Sequence, residues 1–151
     1  MALTVPEAIR LEHQELDERL RGLTRLSGHV GATARAVARL LHPHFQKEEE
    51  LALPPLALLP ALAQDDTPAD VDEARALATR LRAALPAMLE EHRAIGEALE
   101  ALAAAGESEG NVEAVAFATA LRRHAAAEEQ VLYPAAILVG SYLRLWMDRA
   151  E

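Results

Sequence analysis

The chain contains no cysteine. Disulfides, thiolate metal ligands, iron–sulfur clusters and a thiol nucleophile are therefore excluded. Aromatic residues make up only 3% of it. With β-branched residues also scarce, Ala, Leu, Arg and Glu dominate, and these lose little rotamer freedom in a helix. Positive charge is not in excess: the formal net charge is −9 and Lys/Arg are not clustered. That argues against sequence-independent nucleic-acid binding. Long hydrophobic runs are missing too. The two most apolar stretches, residues 51–63 and 131–143, are too short to span a bilayer, and Pro54, Pro55 and Pro60 break the first. The opening residues show neither the positive segment nor the apolar run of a signal peptide. The expectation is a soluble cytoplasmic protein without a nucleic-acid or membrane partner. At 151 residues the chain is expected to form a single domain, 1–151, with a sizeable core.

The elements follow from caps, turns and prolines. Thr4 and Glu7 read as a capping box with Pro6 in the first turn, opening a helix to about Leu26. Residues 27–31 form a turn, and a second helix is predicted from about Thr33 to Leu53, stopped by Pro54 and Pro55. Pro43 falls inside it and predicts a kink or one lost hydrogen bond. After an irregular connection, Thr67 to Asp70 repeats the cap signature and opens a third helix to about Ala104, bent at Pro86. Residues 106–111 are a polar turn. A fourth helix spans about Val112 to Tyr133 and ends at Pro134, and a short fifth covers about 135–149. This predicts an all-α fold: an antiparallel up-and-down four-helix bundle, about residues 4–134, with a short C-terminal extra helix.

The chain repeats itself. His13 recurs as His92, displaced by 79 residues, and His44, Glu48 and Pro54 recur as His124, Glu128 and Pro134, displaced by 80. Glu12 before His13 matches Glu91 before His92, and Glu49 matches Glu129. Each repeated ionisable residue falls on an apolar stripe. Ile9, Leu16, Leu20 and Leu23 run through His13; Val37 and Leu41 lead to His44, Glu48 and Leu51. Leu81, Leu85 and Met88 lead to His92, then Ile95, Leu99 and Leu102; Phe117 and Leu121 lead to His124 and Glu128. All four helices thus carry ionisable groups at core positions.

Two glutamates and four histidines in one core need compensation, because a buried carboxylate without a partner costs several kcal/mol or is driven neutral. A pair of divalent metal ions compensates all six at once, and imidazole and carboxylate suit iron, zinc or manganese. In both His-x-x-x-Glu units the two side chains share a helix face one turn apart. Each glutamate is then placed to bridge two metals while its histidine caps one. His29 lies in a turn and His42 projects away from His44, so neither is assigned a metal role. Glu49, Glu50 and Glu129 are expected on a solvated acidic face.

The order His13, His44/Glu48, His92, His124/Glu128, one element per helix, resembles the hemerythrin-like HHE cation-binding family, from Leu3 to about Pro134. The stretch from Glu128 to Pro134 is also similar to the family's run after its last motif. The resemblance implies a carboxylate-bridged di-iron centre, two iron ions per chain, with the four histidines as terminal ligands and Glu48 and Glu128 as bridges. Oxygen-carrying hemerythrins have a second histidine four residues after the third-helix ligand, where this chain has Gly96. Both metals would then keep open positions for oxygen, nitric oxide or peroxide. Asp17, one turn beyond His13, is a candidate to contact a metal-bound water or a ligand histidine.

Three functions follow from this reading. The first is a protein that binds or senses small diatomic ligands or peroxide. The second is a di-iron enzyme or iron donor acting on peroxide or nitric oxide or in cluster repair. The third is a structural zinc-binding interaction module, using residues 51–63 and Tyr142, Leu145 and Trp146 as a partner or homodimer surface; otherwise the chain is a monomer.

Overall fold

The computed structural model describes residues 3–66 and 68–150, and these contain helices and no strand. Helix α1 spans Glu7–Thr24 and α2 spans Gly28–Lys47, and a π-helical turn, Glu48–Ala52, continues α2. A 3₁₀ segment, Pro54–Leu58, and a short α3, Leu59–Ala63, make the connection. Then come α4, Val71–Glu109, and α5, Val112–Ala127. A second π turn, Glu128–Leu132, leads into α6, Tyr133–Ala150. Among the described residues no helix is long and apolar enough to cross a membrane.

Several boundaries differ from the sequence-based expectation, each for a local reason. The side chain of Thr4 does not cap α1; Pro6 precedes its first residue. Thr67 lies outside the described residues, and Asp70, in the left-handed region at φ 60°, leads into α4. Helix α2 begins within the predicted turn because Glu109, from the far end of α4, caps it. The Glu109 carboxylate accepts from the backbone N–H of His29 at 2.6 Å and of Val30 at 3.3 Å, satisfying donors that a helix start leaves open. Helix α4 runs on to Glu109, past the predicted end, and stops at Gly110 with φ 68°. Asn111 then caps α5 through the N–H of Ala114 at 2.9 Å. Pro43 and Pro86 sit inside α2 and α4 without ending them.

Helix α4 packs along α2, α5 and α6, and α1 packs on α2 and α5. Three apolar clusters result, two of them flanking the predicted ionisable residues. One holds Leu16, Leu20, Leu41, Ile95, Leu99, Phe117 and Leu121. The other holds Leu51, Leu53, Leu56, Leu81, Met88 and Tyr133, with Ile9 against it. On each of α1, α2, α4 and α5 the predicted ionisable residues fall between a member of one cluster and a member of the other. The six therefore form a polar layer sandwiched between apolar ones.

Residues 51–58 are largely buried in the second cluster and in a third with Leu143 and Val139 of α6, so this apolar stretch is core. On the outer face of α6, Leu138, Tyr142 and Leu145 are exposed. Helices α4 and α6 approach closely at Gly140, where an added Cβ would fall 2.4 Å from the Cβ of Ala78. Gly140→Ala is expected to push the helices apart and destabilise the fold by about 1–3 kcal/mol, the usual cost of overpacking. Chemical denaturation checks this, and an unchanged midpoint would contradict the close approach.

Candidate metal centre

All six predicted residues are buried, none more than 7% exposed: His13, His44, Glu48, His92, His124 and Glu128. They converge as two groups. Donor atoms of His44, Glu48, His92 and Glu128 lie within 4.8 Å of one another, and so do those of His13, His124 and Glu128. Within each group two imidazoles face each other through Nε2. The His44–His92 separation is 2.9 Å and the His13–His124 separation is 3.1 Å.

The outer nitrogens bear on whether the layer suits a cation. Nδ1 of His44 is 2.8 Å from Glu91, that of His92 is 2.9 Å from Glu129, and that of His124 is 2.6 Å from Glu12. Nδ1 of His13 is 3.4 Å from Glu49. An imidazole that donates through Nδ1 to a carboxylate presents a bare Nε2 lone pair. Four such lone pairs then point inward in facing pairs, an arrangement that needs a cation or protons between them. The spacing suits a metal: two nitrogens each about 2.0–2.1 Å from one ion, at right angles, stand roughly 3 Å apart.

The carboxylates give a second test of fit. Glu128 spans both groups, with Oε1 3.2 Å from His92 and Oε2 3.3 Å from His124 and 3.6 Å from His13. Glu48 Oε1 lies 3.1 Å from His44 Nε2, out of line for a hydrogen bond. Glu48 Oε1 and Glu128 Oε2 are both buried without a hydrogen-bond partner, which costs free energy unless a cation meets them. Nitrogen and oxygen donors without sulfur suit iron, zinc or manganese. The residues present fit a metal pair.

Protons are the metal-free alternative, and the titration behaviour reflects it. Burial opposes charge on His124, but Glu128 and Glu12 outweigh it and push its pKa up to about 9. The same opposition, won by Glu48 and Glu91 at His44 and by Glu128 and Glu129 at His92, raises both. Burial, and then the neighbouring Glu128, push Glu48 up to about 7. Burial would raise Glu128 as well, but the close approach of Glu48 and of His124, His13 and His92 holds it well below the usual carboxylate range.

Glu49 and Glu129 are not the merely solvated residues expected. Although half-exposed, each is turned onto a core histidine. Glu12 and Glu91, noted in the sequence only as part of the repeat, do the same from α1 and α4. Glu91 also pairs with Lys47. The repeat was the available signal: Glu12 and Glu91 correspond, as do Glu49 and Glu129. Asp17 is placed differently, paired with Arg21 at 2.9 Å and facing His42 at 3.3 Å. Its carboxylate lies beside these surface partners, while Glu12, Glu49, Glu91 and Glu129 take the histidines' outer nitrogens.

Tyr133 was also missed. It is fully buried, and its hydroxyl donates to Glu48 Oε2 at 2.9 Å, with His92 Nε2 at 3.2 Å and His44 Nε2 at 3.4 Å. The π turn is the cause. In a regular α-helix Tyr133, five residues after Glu128, would sit about 140° away around the axis. Here its N–H bonds the carbonyl of Glu128, and the wider i→i+5 turn brings it back toward the core side. Burial holds the phenol's pKa above its ordinary value, reinforced by the charges of Glu48 and Glu128.

Surface grooves reach the centre from two sides. One is lined by His92, Gly96, Arg122 and Glu129, the other by His13, Asp17, His42 and Glu49. A Cβ at Gly96 would meet nothing within 4 Å. Gly96→Ala is therefore expected to stabilise the chain by about 0.5–1 kcal/mol through helix propensity. A loss of stability in denaturant titration would mean that the glycine is needed for packing.

Fold and site together define an all-helical protein with a buried histidine–carboxylate cation site. The family model described as the hemerythrin HHE cation-binding domain matches residues 4–136, and the chain belongs to that family. No curated protein and no solved structure matches it. The family's domain binds metal cations, and the two His/Glu groups are where this chain offers donors for them.

Proposed function

We propose that this chain is a non-haem di-iron protein that binds or senses small ligands such as oxygen, nitric oxide or peroxide. The observation that carries this reading is the convergence of four Nε2 atoms and two buried carboxylates, each imidazole with a glutamate at its Nδ1. His44, His92 and Glu48 would hold one ion and His13 and His124 the other, with Glu128 within reach of both groups. Iron bound there would supply Lewis acidity and redox reach toward small ligands.

The rest is the chain's own work. Glu12, Glu49, Glu91 and Glu129 fix the tautomers and ring orientations. Phe45 stacks on His13 with ring centroids 4.0 Å apart and holds that ring flat. The apolar clusters on either side keep bulk water from the layer. An up-and-down four-helix arrangement accounts for the contacts. Arg19 meets Glu113 where His13 meets His124, and Val30 meets Glu109 where His44 meets His92. In each pair, moving forward along one helix moves backward along the other.

The test is metal content per chain after expression in iron-replete medium, with an optical spectrum before and after azide, nitric oxide or peroxide. Two irons and a spectrum that responds to these ligands are expected. One zinc, or a ligand-insensitive spectrum, would sink the reading.

A further inference from the structure

Away from the centre, α4 and α6 lie side by side along a groove of about 560 Å³. Ala78 of α4 meets Gly140, and Arg75, one turn earlier, reaches Met147, with Nη1 3.2 Å from Sδ. Moving back along α4 therefore moves forward along α6. The walls of this groove are basic. Arg75, Arg80 and Arg82 stand on the α4 side and Arg144 on the α6 side, against a single acidic lining residue among those described, Asp72. The chain as a whole carries a net charge of −9, so the groove is opposite in sign to the protein that holds it. Several arginines elsewhere meet carboxylates: Arg19 pairs with Glu113, Arg21 with Asp17 and Arg93 with Glu90. Arg80, Arg82 and Arg144 are exposed and have no ion-pair or hydrogen-bond partner among the described residues. Arg75 has Asp72 only at 3.9 Å. No basic run marks this groove in the sequence, because Arg144 joins the others only in the folded chain.

We propose that this groove binds a soluble compound carrying several phosphoryl groups, held between Arg75 and Arg82 of α4 and Arg144 of α6. Four guanidinium groups around one groove repel one another, and an anion between them relieves that repulsion. Guanidinium is also the cation whose paired N–H donors match phosphate oxygens. Spacing sets the size of the ligand. Arg75 and Arg82 spring from α4 two turns apart, about 10 Å of helix rise. They are better matched to phosphoryl groups in a row than to a single one. The floor leaves room for such a chain, since Ala78 and Gly140 carry little or no side chain. Thr79 and Ser141 add hydroxyl groups there. Each donates to a carbonyl of its own helix, Thr79 to Arg75 O at 3.0 Å and Ser141 to Ile137 O at 3.3 Å. A hydroxyl rotates, so either proton can turn to a phosphate oxygen instead. The net charge of −9 repels an anionic bilayer or a nucleic acid as a whole, which favours a small ligand that enters the groove alone. None of the six residues of the histidine–glutamate layer lines this groove, so the site stands apart from the metal-centre reading.

The experiment is isothermal titration calorimetry of the full-length chain with inorganic tripolyphosphate, and with orthophosphate for comparison. Tripolyphosphate should bind at least about 10-fold more tightly than orthophosphate, with an affinity that falls as salt rises. Arg82→Gln and Arg144→Gln should each weaken it by on the order of 10-fold, the scale of one charge-assisted hydrogen bond. Arg123→Gln, on α5 and outside the groove, should leave it unchanged. All three side chains are exposed, so the variants should keep the fold, and thermal unfolding checks that. Tripolyphosphate also chelates metal ions, so the titration is run on metal-loaded and on chelator-treated chain, and the two should agree. Heat seen only with the metal-loaded chain would place the anion on the metal, overturning the groove site while leaving the centre standing. Full affinity in both groove variants would overturn it too, as would no binding of tripolyphosphate at all. Sedimentation with phosphatidylglycerol vesicles supplies phosphate from a lipid headgroup, and no binding is expected. Capture by the vesicles without binding of tripolyphosphate would overturn the soluble ligand in favour of a membrane surface.

Discussion

Glu128→Gln should leave both halves of the centre largely empty at metal concentrations that saturate the unaltered chain. Glu128 is the carboxylate that reaches three of the four histidines, with Oε1 3.2 Å from His92 and Oε2 3.3 Å from His124 and 3.6 Å from His13. Glutamine keeps the shape but removes the charge, and it replaces one acceptor oxygen with an N–H donor. That donor would point at imidazole lone pairs and compete with the cation for them. The loss of affinity should exceed the roughly 10- to 100-fold typical of removing an outer partner. Glu129→Gln and Glu12→Gln, which touch only the outer nitrogens of His92 and His124, supply that comparison. Metal per chain after equilibration with buffered Zn²⁺ or Fe²⁺ measures it, with circular dichroism to confirm that the helices persist. If Glu128→Gln still carries two ions with near-normal affinity, the shared carboxylate has been misassigned.

Metal removal should have the second large effect, this time on stability. The six donors come from four helical segments far apart in sequence and are assembled only in the folded chain, so an ion that binds them favours the native state over the unfolded one. At free metal about 1,000-fold above the dissociation constant, one site contributes about 4 kcal/mol. For a chain of this length, that corresponds to roughly 8–16 °C in Tm. Without metal, four imidazoles and two carboxylates share the buried layer, two carboxylate oxygens lacking hydrogen-bond partners. Thermal unfolding with and without chelator tests this directly. A Tm indifferent to chelation and to added metal would mean that protons alone compensate the core.

The resemblance between the halves of the chain made much of the centre visible beforehand. His13, His44, Glu48, His92, His124 and Glu128 each interrupt an apolar stripe at helical spacing, and all six lie in one buried layer. The half-exposed carboxylates next to Glu48 and Glu128 are less legible, because solvent exposure and contact with a core histidine coexist in them. Glu49 and Glu129 follow Glu48 and Glu128 by one residue, about 100° around the helix. That rotation takes them off their own helix's core face and onto a neighbour's histidine. Asp17 shows the converse. One turn from His13, it shares that residue's side of α1, but Arg21 and His42 are its partners.

The sequence by itself determined the helices, their approximate ends and the six inward-facing donors, because periodicity and repetition report how residues are arranged around and along a single helix. The tertiary structure decided which partner each donor meets. Glu109 caps α2 from the end of α4, Glu91 and Glu12 steady histidines on other helices, and Glu128 alone spans both groups. It also decided the place of Tyr133. A π turn changes the angle per residue, and an α-helical count along the sequence carries no record of that change. The Tyr133 phenol is brought to Glu48 by backbone geometry and by packing between helices, neither of which a single helix's pattern encodes.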